Sequence, residues 1–288
     1  MIKKRLSWLI LSAMVAGIVT FASAVLANQL QFIPNNPRLG DGISVILKAD
    51  QPPQTNPTIS VEKKTYPTFP IGNDQFRGFL PTSPLEKPRT LSIEINNNGE
   101  IIKQSLKLTN RSFPVQRITL PKGKAGVDAT ELELRRVKET KNLLTPEKYW
   151  NGRFIPPNKS RMSSGYGIRR YYNGVFAKDY YHRGIDYAGG YGSPVTAPAP
   201  GKIVLVGKEK EGFRVHGNIV GMDHGQGVIS LFLHLSKINV KEGDFVQTGK
   251  VIGAIGSTGA STGPHLHWGF FVNAVSVDPI PWLSQSIE

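Results

Sequence analysis

Apolar and polar positions alternate with a period of two through much of this chain, which predicts strands. I-S-V-I-L-K (43–48), T-L-S-I-E-I (90–95) and I-I-K-Q-S-L-K-L (101–108) each alternate, and the last two flank N-N-N-G-E, a turn of hairpin type. This reading gives a small β-sandwich over 28–112. A different pattern follows over 113–158. A-T-E-L-E-L-R-R-V-K-E-T-K-N-L-L is charged and free of glycine, with Thr130 placed as an N-cap. It predicts a connecting helix, and T-P-E-K-Y-W-N-G-R-F-I-P-P after it predicts an extended arm pinned by Trp150 and Phe154. From 159 to 288 strand patterns return, with glycines at the turns. The fold class is therefore mainly all-β.

The N-terminus departs from this pattern. M-I-K-K-R precedes the apolar run Leu6–Phe21 and the small residues A-S-A and V-L-A. Residues 1–27 read as a signal peptide, cleaved after Ala24 or Ala27, which makes the chain exported, periplasmic or extracellular. Membrane attachment arises only if this segment stays as an anchor.

Composition narrows the chemistry. The chain of 288 residues has no cysteine, which excludes a thiol nucleophile and a zinc–thiolate site, so any metal must be held by His, Asp or Glu. The formal charge is +14, and three of those charges belong to Lys3, Lys4 and Arg5. Such a balance suits an anionic cell-wall surface. No basic groove with interleaved aromatics is present to suggest nucleic acid.

All six histidines lie beyond residue 180. In H-R-G-I-D, His182 and Asp186 on a straight strand would stand roughly 13 Å apart, too far to share an ion, so joint ligation requires a bend at Gly184. In H-L-H, His265 and His267 share one strand face about 7 Å apart, with Leu266 turned to the core. Both rings can then line one cleft. In L-F-L-H-L-S, Leu231, Leu233 and Leu235 fall on one face, and His234 falls on the other with Phe232 and Ser230. His216 and His224 sit in a predicted loop and a glycine-rich turn, where structural or solvated roles suffice.

Several further blocks occur in order with these: S-S-G-Y-G-I-R, G-S-P-V-T-A-P-A-P-G, V-K-E-G-D-F-V-Q-T-G-K-V-I-G and V-D-P. Together the series resembles the M23 (lysostaphin-like, LytM) zinc endopeptidases that cut peptidoglycan peptides. F-R-G-F-L-P-T-S-P-L-E-K-P-R upstream is similar to the small β domain ahead of some exported members. The resemblance implies an antiparallel C-terminal β domain of the LytM (duplicated hybrid motif) type. It also implies one Zn²⁺ per chain, bound by His182, Asp186 and His267, with peptidoglycan peptides as substrate. His234 and His265 would be the flanking catalytic pair, one as base and the other as oxyanion donor. Ser164, Arg169 and Asn218 sit in blocks near the expected cleft and are candidate substrate contacts. The sequence departs from the family at Phe232, where a Tyr is usual, so a hydroxyl is expected to be missing from the cleft. The alternative function is a non-hydrolytic wall-binding protein or amidase activator of the same fold.

Overall fold

The computed structural model describes residues 30–49, 53–119 and 128–287. The segment read as a signal peptide lies outside them. Among the described residues, no helix is long and apolar enough to cross a membrane.

The chain forms two compact units. The first draws on residues up to 35, on 44–78 and on 90–106. Its strands are β1 (Leu30–Ile33), β2 (Gly42–Lys48), β3 (Thr58–Val61), β4 (Lys64–Gly72), β5 (Gln75–Pro81), β6 (Arg89–Asn97) and β7 (Glu100–Leu108), in the order β1-β2-β5-β4-β3-β6-β7. Strand β4 pairs with β3 up to Pro67 and with β5 from Thr68 onward. A strand that changes partners in this way turns a sheet into a corner. The β6–β7 turn places Asn98 and Gly99 at φ 52° and 91°, the left-handed conformation that a two-residue hairpin of this kind needs. Alternate positions Leu91, Ile93 and Ile95 are buried, as the period of two requires.

The second unit takes residues 36–43, 79–89 and 107–288. It begins with β8 (Val115–Ile118) and helix α1 (Glu131–Lys141), followed by β9 (Met162–Ser164), β10 (Arg169–Tyr172), β11 (Val175–Phe176) and β12 (Gly184–Tyr187). Then come β13 (Pro194–Thr196), β14 (Gly201–Gly207), β15 (Ile219–Gly225), β16 (Val228–Leu233), β17 (Leu235–Ile238) and β18 (Phe245–Val246). The last elements are β19 (Val251–Ile255), β20 (Leu266–Val272), β21 (Val275–Ser276) and α2 (Ile280–Ser284). The main sheet runs β18-β14-β15-β16-β20-β12-β9 with antiparallel neighbours, so the protein is mostly β, as expected.

Both faces of this sheet are covered. On one, Trp268 and Phe270 of β20 pack with Phe154 of the extended arm and Trp282 of α2, at ring separations of 4.9–5.7 Å. Trp150 and Phe154 are each 2% exposed, so the arm is part of this core. On the other, Leu231, Leu233 and Phe271 join Val137 of α1, Leu205 and Phe213. Each such side chain contributes about 1.5–3 kcal/mol on burial, so α1 is held by packing more than by propensity. Thr130 caps α1 by accepting from the Glu133 N–H at 3.1 Å, and its hydroxyl donates to Gly212 O at 2.9 Å.

Candidate metal centre and its cleft

Strand β20 supplies the floor of the site. Its residues alternate, so Leu266, Trp268 and Phe270 are fully buried while His267, Gly269 and Phe271, with His265 just before the strand, face a cleft of about 840 Å³. Strand β12 lies alongside, with Asp186 opposite His267 and Gly184 opposite Gly269. Gly184 is needed here for room. A Cβ at 184 would stand 2.3 Å from Trp268 O and 2.9 Å from His267 Nε2, so only glycine lets the strands pair at this point. Its φ lies outside the left-handed region, so the close approach replaces the conformational freedom that the sequence suggested.

His182 sits just before β12, and the chain turns enough for its ring to reach back to Asp186. Three atoms converge: His182 Nε2 is 3.0 Å from Asp186 Oδ1 and 3.0 Å from His267 Nδ1, and His267 Nδ1 is 2.9 Å from Asp186 Oδ1. His182 Nδ1 donates to Gly165 O at 2.7 Å, which leaves a lone pair on Nε2 in the neutral ring. Three acceptor-bearing atoms thus meet with at most one proton among them, and a cation is what relieves such an arrangement. These three residues are a group that could hold a metal ion. Burial opposes the Asp186 charge, but the adjoining His182 and His267 rings prevail and hold its carboxyl well below the usual range. Its second oxygen stands 3.6 Å from Arg170 Nη2. Burial, partly offset by Asp186, lowers His267 to about 4, so its ring is neutral at physiological pH.

His265 and His234 complete the wall. His265 Nδ1 donates to Gly263 O at 2.9 Å, and its Nε2 is 4.0 Å from Asp186 Oδ1. His234 Nδ1 donates to Thr258 O at 2.8 Å. The His234 ring centre is 4.9 Å from that of His265 and 6.4 Å from that of His267. Burial, followed by the neighbouring imidazoles His265 and His267, pushes His234 down to about 3. Both residues therefore commit Nδ1–H to backbone and keep Nε2 as an acceptor in the neutral ring.

The route that brings His234 here corrects the strand alternation. Extended through residue 234, the period of two puts this ring on the face opposite Leu233. Instead His234 falls between β16 and β17 with φ 63°, and the left-handed residue reverses the side on which its ring emerges. Leu231 and Leu233, which pair with Gly269 and His267, share the cleft face with His234. Phe232 is fully buried opposite Trp268 on the other face. The hydroxyl expected to be missing from the cleft at position 232 is thus a core position and removes nothing from the site.

Of the remaining candidates, Ser164 lines the cleft and pairs with Asp186 across β9–β12. Arg169 and Asn218 do not reach it. Arg169 donates to the Tyr180 and Lys178 carbonyls and stacks on Phe176. Asn218 donates to Leu235 O and accepts from the Glu209 N–H. The neighbouring Arg170 occupies the cleft wall instead.

Two residues outside the site expected from the sequence, His216 and Glu133, also matter. His216 lines the cleft, and its Nδ1 is 2.5 Å from Glu133 Oε1. Glu133, fully buried on α1, also accepts the backbone N–H groups of Arg214, Val215 and His216 at 2.7–3.1 Å. The sequence marks Thr130 as the cap of this helix but gives no sign that Glu133 would clamp a loop 81–83 positions away.

Residues 180–279, which include all three converging ligand atoms, match the model for Peptidase family M23. The chain is 43% identical over 121 residues to the DD-carboxypeptidase/endopeptidase Mpg of Neisseria meningitidis, covering 42% of this chain and 26% of that protein. It thus spans about a quarter of the length of the curated relatives it matches. A solved structure of a Pseudomonas aeruginosa protein described as a peptidase M23 matches at 26% identity and TM-score 0.64, covering 86% of this chain and 95% of that one. The catalytic domain of the antimicrobial peptidase lysostaphin from Staphylococcus simulans is 38% identical, with 43% of this chain and 92% of that domain covered, at TM-score 0.37. Residues 180–279 are thus a domain of peptidase family M23.

Proposed function

We propose that this protein is an exported, zinc-dependent endopeptidase that hydrolyses peptide bonds in peptidoglycan stem or cross-link peptides. The observation that carries the reading is the convergence of His182 Nε2, Asp186 Oδ1 and His267 Nδ1 within 3.0 Å, beside two further imidazoles. Three N/O donors and no thiolate match a catalytic zinc site, which keeps an open position. When bound, Zn²⁺ would polarise the scissile carbonyl and lower the pKa of its water.

The chain's own groups do the rest. Thr258 O and Gly263 O hold the Nδ1–H groups of His234 and His265, which leaves Nε2 of each ring to accept a proton. One takes the proton of the attacking water and passes it to the departing amine. The other, on taking a proton from solvent, donates to the tetrahedral oxyanion and returns that proton when the oxyanion collapses. Gly165 O fixes the tautomer and tilt of His182, and Arg170 holds the outer oxygen of Asp186. The peptidoglycan DD-endopeptidase ShyC of Vibrio cholerae, 37% identical over 125 residues, supports the substrate class for the domain. A non-hydrolytic wall-binding role finds no support in an intact donor set.

Purified protein incubated with peptidoglycan sacculi should release new amino groups. A chelator should stop release, and added Zn²⁺ should restore it. Protein that carries one equivalent of zinc yet releases none from any peptidoglycan chemotype would overturn the catalytic reading.

A further inference from the structure

One wall of the cleft carries cations without acidic partners. Lys141 closes the last turn of α1, and its ammonium lies over the Phe271 ring, 5.3 Å from the centroid. Phe271 is on the cleft face of β20, four positions from His267. Arg183, directly after His182, stacks over Tyr180 and Tyr181 at 5.5 and 5.8 Å and lines the same cleft. Among the described residues, neither Lys141 nor Arg183 forms an ion pair. Among the described residues, the one carboxylate lining this cleft is Asp186, which is taken by the histidines and by Arg170.

Physical cost marks the pair as unusual. Burial first, and then the nearby charge of Arg183, lowers the pKa of Lys141 below that of an ordinary lysine. Lys141 is half-buried and Arg183 exposed, and two like charges near enough to perturb one another repel unless an anion joins them. A favourable contact with the helix C-terminus would account for a lysine in this turn, but exposed Lys138 already fills that role. It would not require the Lys141 ammonium to lean onto the cleft floor. Beside the pair, Leu134 and Val137 of α1 and Leu231 of β16 give an apolar lining.

We infer that Lys141 and Arg183 form a carboxylate-binding subsite, so that the peptide taken by the cleft carries a free carboxylate close to the bond cleaved. The inference rests on the peptidase reading above. Arg183 offers a planar fork that accepts both carboxylate oxygens, and Lys141 adds a second charge from the α1 side. Binding then replaces one repulsion with two attractions. An aliphatic stem beside the carboxylate would lie on the apolar lining.

The test uses pairs of synthetic peptidoglycan stem peptides that differ at one carboxylate, each carboxylate in turn being free or amidated. For one position, the wild-type protein should show kcat/KM at least about tenfold higher on the free form, the scale of one charge-assisted contact. Lys141→Met and Arg183→Met should each narrow that ratio. The double variant should abolish it with zinc content intact, which separates the subsite from direct carboxylate contact with the metal. Equal wild-type rates on every pair, or a preference that survives in the double variant, overturns the subsite. If no peptide is cleaved, the peptidase reading fails, and calorimetric binding of the same pairs decides the subsite. Tighter binding of a free form that the double variant loses upholds it, and equal binding overturns it.

Discussion

At the scale of single residues, His265 and His267 stand two positions apart on one strand face yet meet different neighbours. His267 Nδ1 is within 3.0 Å of both other converging atoms, whereas His265 Nε2 stays 4.0 Å from Asp186 Oδ1. His267→Ala should therefore lose zinc, measured by atomic emission on dialysed protein. His265→Ala should keep one equivalent and lose turnover by about 100-fold or more, the contribution expected of a positioned proton-transfer group. If both lose zinc alike, the two histidines do not divide their roles. The placement of His265, Leu266 and His267 could be read directly from the sequence, because a strand has only two faces. His234 could not, because a left-handed residue ends the alternation and nothing in L-F-L-H-L marks it.

At the scale of elements, α1 does more than connect. Its existence and its cap were readable from composition and Thr130, but the partner of its buried carboxylate was not, since the 214–216 loop lies 80 positions away. Glu133 clamps that loop through three backbone N–H groups and the His216 ring. The loop in turn holds the proposed proton-transfer group, since His216 O accepts the His234 N–H at 3.0 Å. Val215 O accepts from Ala260 in the segment that also carries Thr258 and Gly263. Burial opposes the Glu133 charge, but the bonds from His216 and Val215 prevail and keep its pKa low. In Glu133→Gln an amide N–H₂ must face N–H donors, which costs about 2–3 kcal/mol in thermal or urea unfolding. At a temperature where the variant is folded, kcat should fall more than KM changes, with zinc content intact, and Glu133→Asp should recover part of the loss. An unchanged kcat would show that the clamp serves stability alone.

At the scale of the whole molecule, buried neutral imidazoles set the response to acid. His224 is fully buried, donates from Nδ1 to Pro200 O, and accepts at Nε2 from Ser230, whose Oγ also takes the Trp268 indole N–H. Burial lowers its pKa from 6.5 to about 4. Above pH 6.5 it is neutral whether folded or unfolded and contributes nothing to the pH dependence. Between 6.5 and 4 the unfolded chain takes a proton that the folded chain refuses, so stability falls as pH falls, by about 3 kcal/mol for a shift of this size. Urea unfolding of the metal-free protein across that range should show the decline, and His224→Gln should lower its slope by about one proton. An identical slope in the variant would remove His224 from the account. The sequence placed this histidine in a turn, because the glycines around it look like hairpin punctuation. Gly225 at φ 90° does end β15 there, while the ring itself points into the core.

If His234 has the proton-transfer role proposed above, the left-handed backbone at position 234 sets selection for turnover against selection for folding. Glycine, asparagine and aspartate take that conformation most readily, and an ordinary side chain there costs about 1 kcal/mol. None of the three can replace an imidazole as proton acceptor near neutral pH. A lineage that kept the fold and gave up hydrolysis would thus gain by abandoning this histidine early, before any of the residues around the metal. Glycine or asparagine at 234 beside an intact His182, Asp186 and His267 would be the first trace of a retired enzyme.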